Sequence, residues 1–200
     1  IGFCFVKVDK RNTLNRSVDS DKVPILRGTS GERRFIASLI DHGVNESDIY
    51  HDLIIKNDNK LSQIDVVIMI PAGIIVVEHK DYHGEITLSE VPDTWEEITI
   101  NDVYPIENPI LQNESHIKSI VETAASQYGL NNMKGVLIYS LIVFGDNAKI
   151  SDDLADYVSV TNGMYKFVEN ETEAVDRVVR LYQNIEYTSI KKEGLRPLLA

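Results

Sequence analysis

The chain has one cysteine, Cys4, and no basic excess. A lone cysteine excludes an intramolecular disulfide framework and a zinc-finger ligand set, and it fits a reducing, cytoplasmic compartment. Thirty-one acidic residues against twenty basic ones leave a net charge of −11, which excludes a protein held on nucleic acid by bulk charge. No apolar run reaches the roughly 18 residues of a membrane helix. The longest, Val66 to Val77, is broken by Pro71 and Gly73 and reads as strands. Internal repeats and low-complexity segments are missing, and so are Walker and Rossmann glycine patterns, a Gly-x-Ser-x-Gly elbow and a His-x-x-x-His pair. ATP hydrolysis, serine catalysis and a histidine zinc site are therefore set aside. His79, His83 and His116 read as structural or surface residues, His83 being the best placed of them to touch substrate. The chain begins at Ile1 rather than Met, so residues upstream of it are expected.

What is present suits one ordinary domain: 200 residues, 43% hydrophobic and 26% charged, long enough to bury a core without staples. Residues 1–27 read as an N-terminal arm or linker, with a short strand in IGFCFVKV, and 186–200 as a tail. Between them, 28–185 reads as the domain. Thr29 or Ser30 can cap a helix with Phe35, Ile36, Leu39 and Ile40 on one face and Gly43 at its end. Glu32 then sits at the margin of the buried face. Strand patterns follow at 49–56, 61–70, 74–80, EITLSE and TWEEITI. A long helix is predicted from Glu107 to Tyr128, a buried strand within 135–145, a strand at YVSVTN and a last helix at 171–185. The expected class is α/β, a central mixed sheet flanked by helices.

Three ionisable residues interrupt the most apolar strands: Asp65 in QIDVVIMI, and Glu78 and Lys80 closing IIVVEHK. Alternation puts Glu78 and Lys80 on one face and His79 on the other. A turn at Ala72-Gly73 would set Pro71 opposite Ile74, Val67 opposite Glu78 and Asp65 opposite Lys80, bringing all three charges together. Two carboxylates and an ammonium suit a hard divalent cation, Mg²⁺ or Mn²⁺, and phosphate chemistry. The competing reading is a plain ion pair at a sheet end. An aspartate in mid-strand tells against it, being costly there unless paired or bound to metal. Glu32 could add a third carboxylate, and Gln112, early in the long helix, an amide that holds substrate or water. Aspartates 146, 152, 153 and 156 lack EF-hand spacing and read as a solvated face, and Trp95 reads as packing.

The ordered set Gly31-Glu32, Gln63-Ile64-Asp65, Gly73, VVEHKDYHGEI (Val76 to Ile86), Trp95 and NPILQ (Asn108 to Gln112) resembles the NERD, or nuclease-related domain, family. That family is a branch of the PD-(D/E)XK, restriction-endonuclease-like superfamily. The resemblance covers roughly residues 28–145 and extends at most to 185. It implies a restriction-endonuclease-like core and divalent-metal-dependent hydrolysis of phosphodiester bonds; DNA is expected as the substrate ahead of RNA. It gives Asp65 the role of motif aspartate, Glu78 and Lys80 that of (D/E)-x-K, Glu32 that of the acid of the first helix, and Gln112 that of the glutamine of the next. Asp65, Glu78 and Glu32 are the implied metal ligands. Ile64 stands where the superfamily pattern has Pro, a position that ligates nothing.

An acidic chain must still approach a polyanion. Arg27, Arg33, Arg34, Lys60 and Lys118 flank the expected site and could form a basic rim, and weak, salt-sensitive affinity is expected. The resemblance implies that a further nucleic-acid-binding domain supplies the missing grip; a separate expectation is a domain active only as a homo-oligomer or beside a partner. The alternative from another class is a non-catalytic module of this fold that binds a protein partner or a nucleic-acid end.

Overall fold

A computed structural model describes residues 30–57, 60–129, 135–161 and 165–183. The sequence readings at 1–27 and 186–200, and Arg27, fall outside the described residues. Helix α1 (Ser30–Asp41) ends at Gly43, whose φ of 92° suits glycine. Strands β1 (Ile49–Asn57), β2 (Lys60–Ile70) and β3 (Gly73–Lys80) follow as an antiparallel meander. Next come β4 (Glu85–Leu88), β5 (Thr94–Ile98), β6 (Val103–Glu107), the long helix α2 (Pro109–Tyr128) and β7 (Leu137–Phe144). The chain closes with β8 (Lys149–Ile150), α3 (Asp152–Thr161), β9 (Lys166–Asn170) and α4 (Glu171–Gln183).

Two mixed sheets result, ordered β1-β2-β3-β7-β9 and β6-β5-β4-β8. In the first, β3–β7 and β7–β9 are parallel and the remainder antiparallel. Both faces of this sheet are covered, which is why β3 and β7 read as continuous apolar runs rather than alternating ones. On one face Val66, Ile68, Ile75, Val77 and Leu141 pack with Phe35 and Leu39 of α1 and Val175 and Val178 of α4. On the other, Val67, Met69, Ile74 and Val76 pack with Ile120 and Ala124 of α2. A third cluster joins Ile86 and Trp95 of the second sheet to Ile110, Phe144 and Leu154. Among the described residues, no helix is long and apolar enough to cross a membrane.

The β2–β3 register corrects the expected one by two residues. The ladder pairs Ile70 with Gly73, Val67 with Val76 and Val66 with Val77, so Pro71-Ala72 make the turn. Asp65 is therefore not opposite Lys80, nor Val67 opposite Glu78. Gly73 reads as a turn glycine, yet it is the first residue of β3. A Cβ there would lie 1.8 Å from the Leu137 carbonyl oxygen of β7, so the glycine serves the close approach of β3 and β7. Gly73→Ala should cost about 3 kcal/mol or more, because the obstacle is backbone and cannot rotate away. Urea unfolding checks this; a loss under half a kcal/mol would show that the two strands can part.

The stretch YVSVTN, expected as a strand, is helical within the described residues and forms the C-terminal half of α3. Ser151 Oγ accepts the Leu154 N–H at 3.2 Å, and Asp152 and Asp153 occupy the first turn, where carboxylates favour a helix. Leu154 and Val158, one turn apart, enter the third cluster. Capping and tertiary burial there outweigh the β-preference of the valines. Strands β6, β8 and β9 had no counterpart in the sequence reading. The long helix starts at Pro109, with Asn108 Oδ1 accepting the Ile110 N–H at 2.9 Å, two residues later than expected.

Candidate active site

Glu78 and Lys80 stand two residues apart at the end of β3 and share a face, as alternation requires. Lys80 Nζ lies 2.6 Å from Glu78 Oε1 and donates to Gln112 Oε1 at 3.0 Å. Glu78 is 1% exposed. Its other oxygen, Oε2, lies 3.2 Å from His116 Nδ1, but the two are out of line and neither atom has a hydrogen-bond partner. Gln112 and His116, four residues apart on α2, project from one face of the helix onto this strand end. Asn113 pins the helix in place: its Nδ2 donates to the Val76 carbonyl and to Ser140 Oγ, both at 2.9 Å, and the residue is fully buried. Asn113→Leu should cost about 2–3 kcal/mol by leaving both acceptors unpaired. It should also loosen Gln112 from Lys80. A thermal melt indistinguishable from wild type would overturn that role.

Asp65 joins the group from the side. Beyond Val66↔Val77 the β2–β3 ladder stops, and Asp65 Oδ2 accepts the backbone N–H of His79 at 2.9 Å. The carboxylate thus lies between parting strands rather than squarely on the Glu78 face. Burial, and then the nearby Glu78 charge, push its pKa up from 3.8 to about 7; the His79 N–H pulls it down, Glu32 raises it and Lys80 lowers it. Burial alone would lower Lys80, but the Glu78 carboxylate outweighs it by charge and hydrogen bond and holds the ammonium above its ordinary value. Lys80 is therefore a cation here and cannot serve as a ready base.

Glu32 is buried in the first turn of α1 and weighs electrostatically on Asp65. Its helix comes this close because Gly31 carries no side chain: a Cβ there would meet His79 Cε1 at 2.5 Å. His79 points to the α1 face, its ring centroid 6.0 Å from that of Phe35. Burial lowers its pKa from 6.5 to about 4, with Asp81 opposing and Arg34 adding to the shift. It is a neutral core histidine, as its place in the strand suggests.

Four of the five residues expected as a basic rim lie among the described residues. Arg34 Nη2 lies 3.6 Å from both Asp81 and Glu171. Lys118 pairs with Glu122 along its own helix at 3.8 Å, and Arg33 is exposed. Lys60 opens β2 opposite Asn57. His83 is exposed, and its backbone N–H donates to Glu97 Oε1 at 2.8 Å. His116, set aside in the sequence, belongs beside Glu78. The signal was its spacing of four from Gln112 rather than any spacing to another histidine.

Among the described residues, no three His, Cys, Asp or Glu side chains form a ready metal cage. The donor chemistry still fits a hard divalent ion, which binds through one or two carboxylates and keeps water for the remainder of its shell. Glu78 Oε2 is a buried acceptor lacking a hydrogen bond, and Asp65 is a carboxylate short of countercharge. Those two would hold the ion, with Glu32 in support.

A mixed sheet between helices, with Asp65, Glu78 and Lys80 where its central strands part, defines a restriction-endonuclease-like α/β core. The family model for the nuclease-related domain (NERD) matches residues 27–145, more than half of the chain, and the chain belongs to that family. It is also similar to an uncharacterized protein of Bacillus anthracis, 30% identical over 105 residues, which are 52% of this chain and 50% of the relative. The chain thus spans about half the length of that relative.

Proposed function

We propose that this protein is a divalent-metal-dependent nuclease that hydrolyses phosphodiester bonds of DNA, in a reducing, cytoplasmic setting. The observation that carries the reading is the meeting of Asp65, Glu78, Lys80 and Gln112 where β2 and β3 part, in a chain of the nuclease-related domain family. Asp65 and Glu78 hold the cation, and Glu32 assists directly or through water. A bound Mg²⁺ or Mn²⁺ supplies the Lewis acidity for attack on the phosphate and lowers the pKa of the attacking water. Lys80, kept protonated by Glu78, orients that water without taking its proton, which leaves to solvent, and offsets the negative charge that grows on the phosphoryl oxygens. Gln112 fixes the Lys80 ammonium by its side-chain oxygen and leaves its amide N–H₂ to hold substrate or water. Grip on the polyanion comes from an added domain, a partner or a homo-oligomer, since the chain carries −11.

Nicking of supercoiled plasmid with Mn²⁺, comparing wild type with Asp65→Ala and Lys80→Ala, tests the reading. Equal cleavage by all three would remove it. A second reading, a non-catalytic module that binds a protein or a nucleic-acid end, is favoured by the way Lys80 takes one oxygen of Glu78 and His116 crowds the other at 3.2 Å without a hydrogen bond. Calorimetry separates the two: a folded protein that takes up no Mn²⁺ would be the binding module.

A further inference from the structure

Strand β1 carries a backbone irregularity that neither the family match nor the proposed chemistry explains. Asp52 has φ of 51°, in the left-handed region, although it lies inside an otherwise extended strand. Only Asp93, near the Pro92 turn, shares this among the described non-glycine residues. The β1–β2 ladder pairs His51 with Val66 and Leu53 with Ile64. Asp52 and Asp65 face each other in the rung between, where no pair forms. The register is the same on both sides, so no residue has been inserted, and the distortion is a local turn of the chain rather than a bulge.

The side chains record what this turn does. Above it, Tyr50, Val67 and Met69 pack on the α2 face, while Ile49, Val66 and Ile68 pack on the α1–α4 face. Below it, Leu53, Ile55 and Ile64 also pack on the α2 face. Strict alternation would send Leu53, Ile55 and Ile64 to the opposite side. The two strands therefore exchange faces at the Asp52–Asp65 rung, and Asp65 is the β2 residue at the crossover. In a regular strand its carboxylate would stand out from one face of the sheet. Here it lies between β2 and β3 and accepts the His79 N–H.

Asp52 does not act there by its charge. The ionised groups that weigh most on Asp65 are Glu78, Glu32 and Lys80. The Asp52 carboxylate is taken up locally, 3.1 Å from His51 Nδ1 and 3.5 Å from Gln63 Nε2. Asp, Asn and Gly are the residues that enter the left-handed region at least cost. We infer that Asp52 is a positioning residue: its left-handed backbone reverses the faces of β1 and β2 and thereby delivers the Asp65 carboxylate to the gap beside Glu78. The backbone role stands on the fold alone; its consequence for metal binding and cleavage rests on the nuclease reading.

Amide hydrogen exchange at His79 reads the position of Asp65 directly, with no metal or substrate present. Asp52→Gly and Asp52→Asn both tolerate the conformation and should keep His79 protected as in wild type. Asp52→Val should raise the His79 exchange rate by about tenfold relative to the amides between Ile68 and Ile75, because a β-branched residue resists this backbone. Asp52→Ala, gentler on the fold, should act in the same direction and serves if the valine variant does not fold. Mn²⁺ calorimetry on the same proteins should follow the same order. Full protection of His79 in the alanine and valine variants would overturn the inference. So would its loss in the glycine or asparagine variants, which would assign the effect to the carboxylate. Wild-type protein that protects His79 but binds no Mn²⁺ would sink the nuclease reading and uphold this one.

Discussion

Lys80→Ala should slow Mn²⁺-dependent plasmid nicking by about 10²–10⁴-fold, and Asp65→Ala should do at least as much. The lysine loss combines two effects. Its ammonium lies 2.6 Å from Glu78 Oε1 and 3.0 Å from Gln112 Oε1 and is held at the strand end by both neighbours. Removing it takes away the cation proposed to orient the attacking water and leaves Glu78, at 1% exposure, without its partner. Loss of one partner of a buried pair costs about 3–5 kcal/mol, so the fold itself will weaken. Lys80→Arg is the control that separates the two: it should restore most of the stability but little of the rate, because a guanidinium is planar and cannot reproduce a compact ammonium. Nicking by Lys80→Arg within threefold of wild type would mean that only the positive charge matters there.

The second large effect is on stability, and it turns on pH and metal together. Asp65 has a native pKa near 7 against 3.8 when free. Between these values the metal-free native state binds a proton that the unfolded chain has released. Stability from this group is therefore complete below pH 4 and is lost as pH rises through 7, by up to about 4 kcal/mol at about 1.4 per unit. His79 works in the opposite sense. Its native pKa, lowered to about 4 from 6.5, means that the unfolded chain binds the extra proton between those values, and stability rises with pH over that window. The two slopes offset each other from about pH 4 to 6.5, leaving the Asp65 loss alone only over the last half unit up to its native pKa of about 7, above which neither group changes stability further.

Urea melts in EDTA should accordingly show wild type nearly flat in stability from about pH 4 to 8, with a fall of only about 0.5 kcal/mol centred near pH 7 and no slope above it. Asp65→Asn keeps an acceptor for the His79 N–H while losing the charge, so it should be more stable than wild type at pH 8 and should unmask the His79 rise below pH 6.5. Mn²⁺ should stabilise wild type at pH 8 and leave Asp65→Asn little changed, since the ion favours the charged carboxylate it binds. Parallel pH curves for the two proteins would show that Asp65 carries no penalty in the native state.

Much of the site was legible because strand alternation is local. Glu-x-Lys at the end of an apolar run puts two charges on one face whatever surrounds it, and an Asp amid Ile64, Val66 and Val67 announces a buried acid. The long helix was visible for a similar reason, although its start was read at Glu107, two residues before Pro109, where Asn108 caps it. The approach of α2 to β3 is different. Gln112 and His116 reach Lys80 and Glu78 because Asn113 bonds to Val76 and Ser140, partners 37 and 27 residues away. No spacing in the chain displays such a contact.

By itself, then, the sequence determined the α/β class, the principal strands and helices, the family, and which charged residues interrupt the apolar strands. The class, the elements and the interrupting charges follow from short-range periodicity, capping and composition, and the family from the resemblance of the ordered motif set. Only the tertiary structure decided the β2–β3 register, the helical state of α3, the membership of His116 and the crossover at Asp52 and Asp65. Each of those was settled by a neighbour distant in the chain: Leu137 crowding Gly73, the third apolar cluster claiming Leu154, α2 lying over β3, and β1 turning against β2. Pairings of that kind form where burial and hydrogen bonding jointly cost least, and a linear pattern carries only one half of each pair.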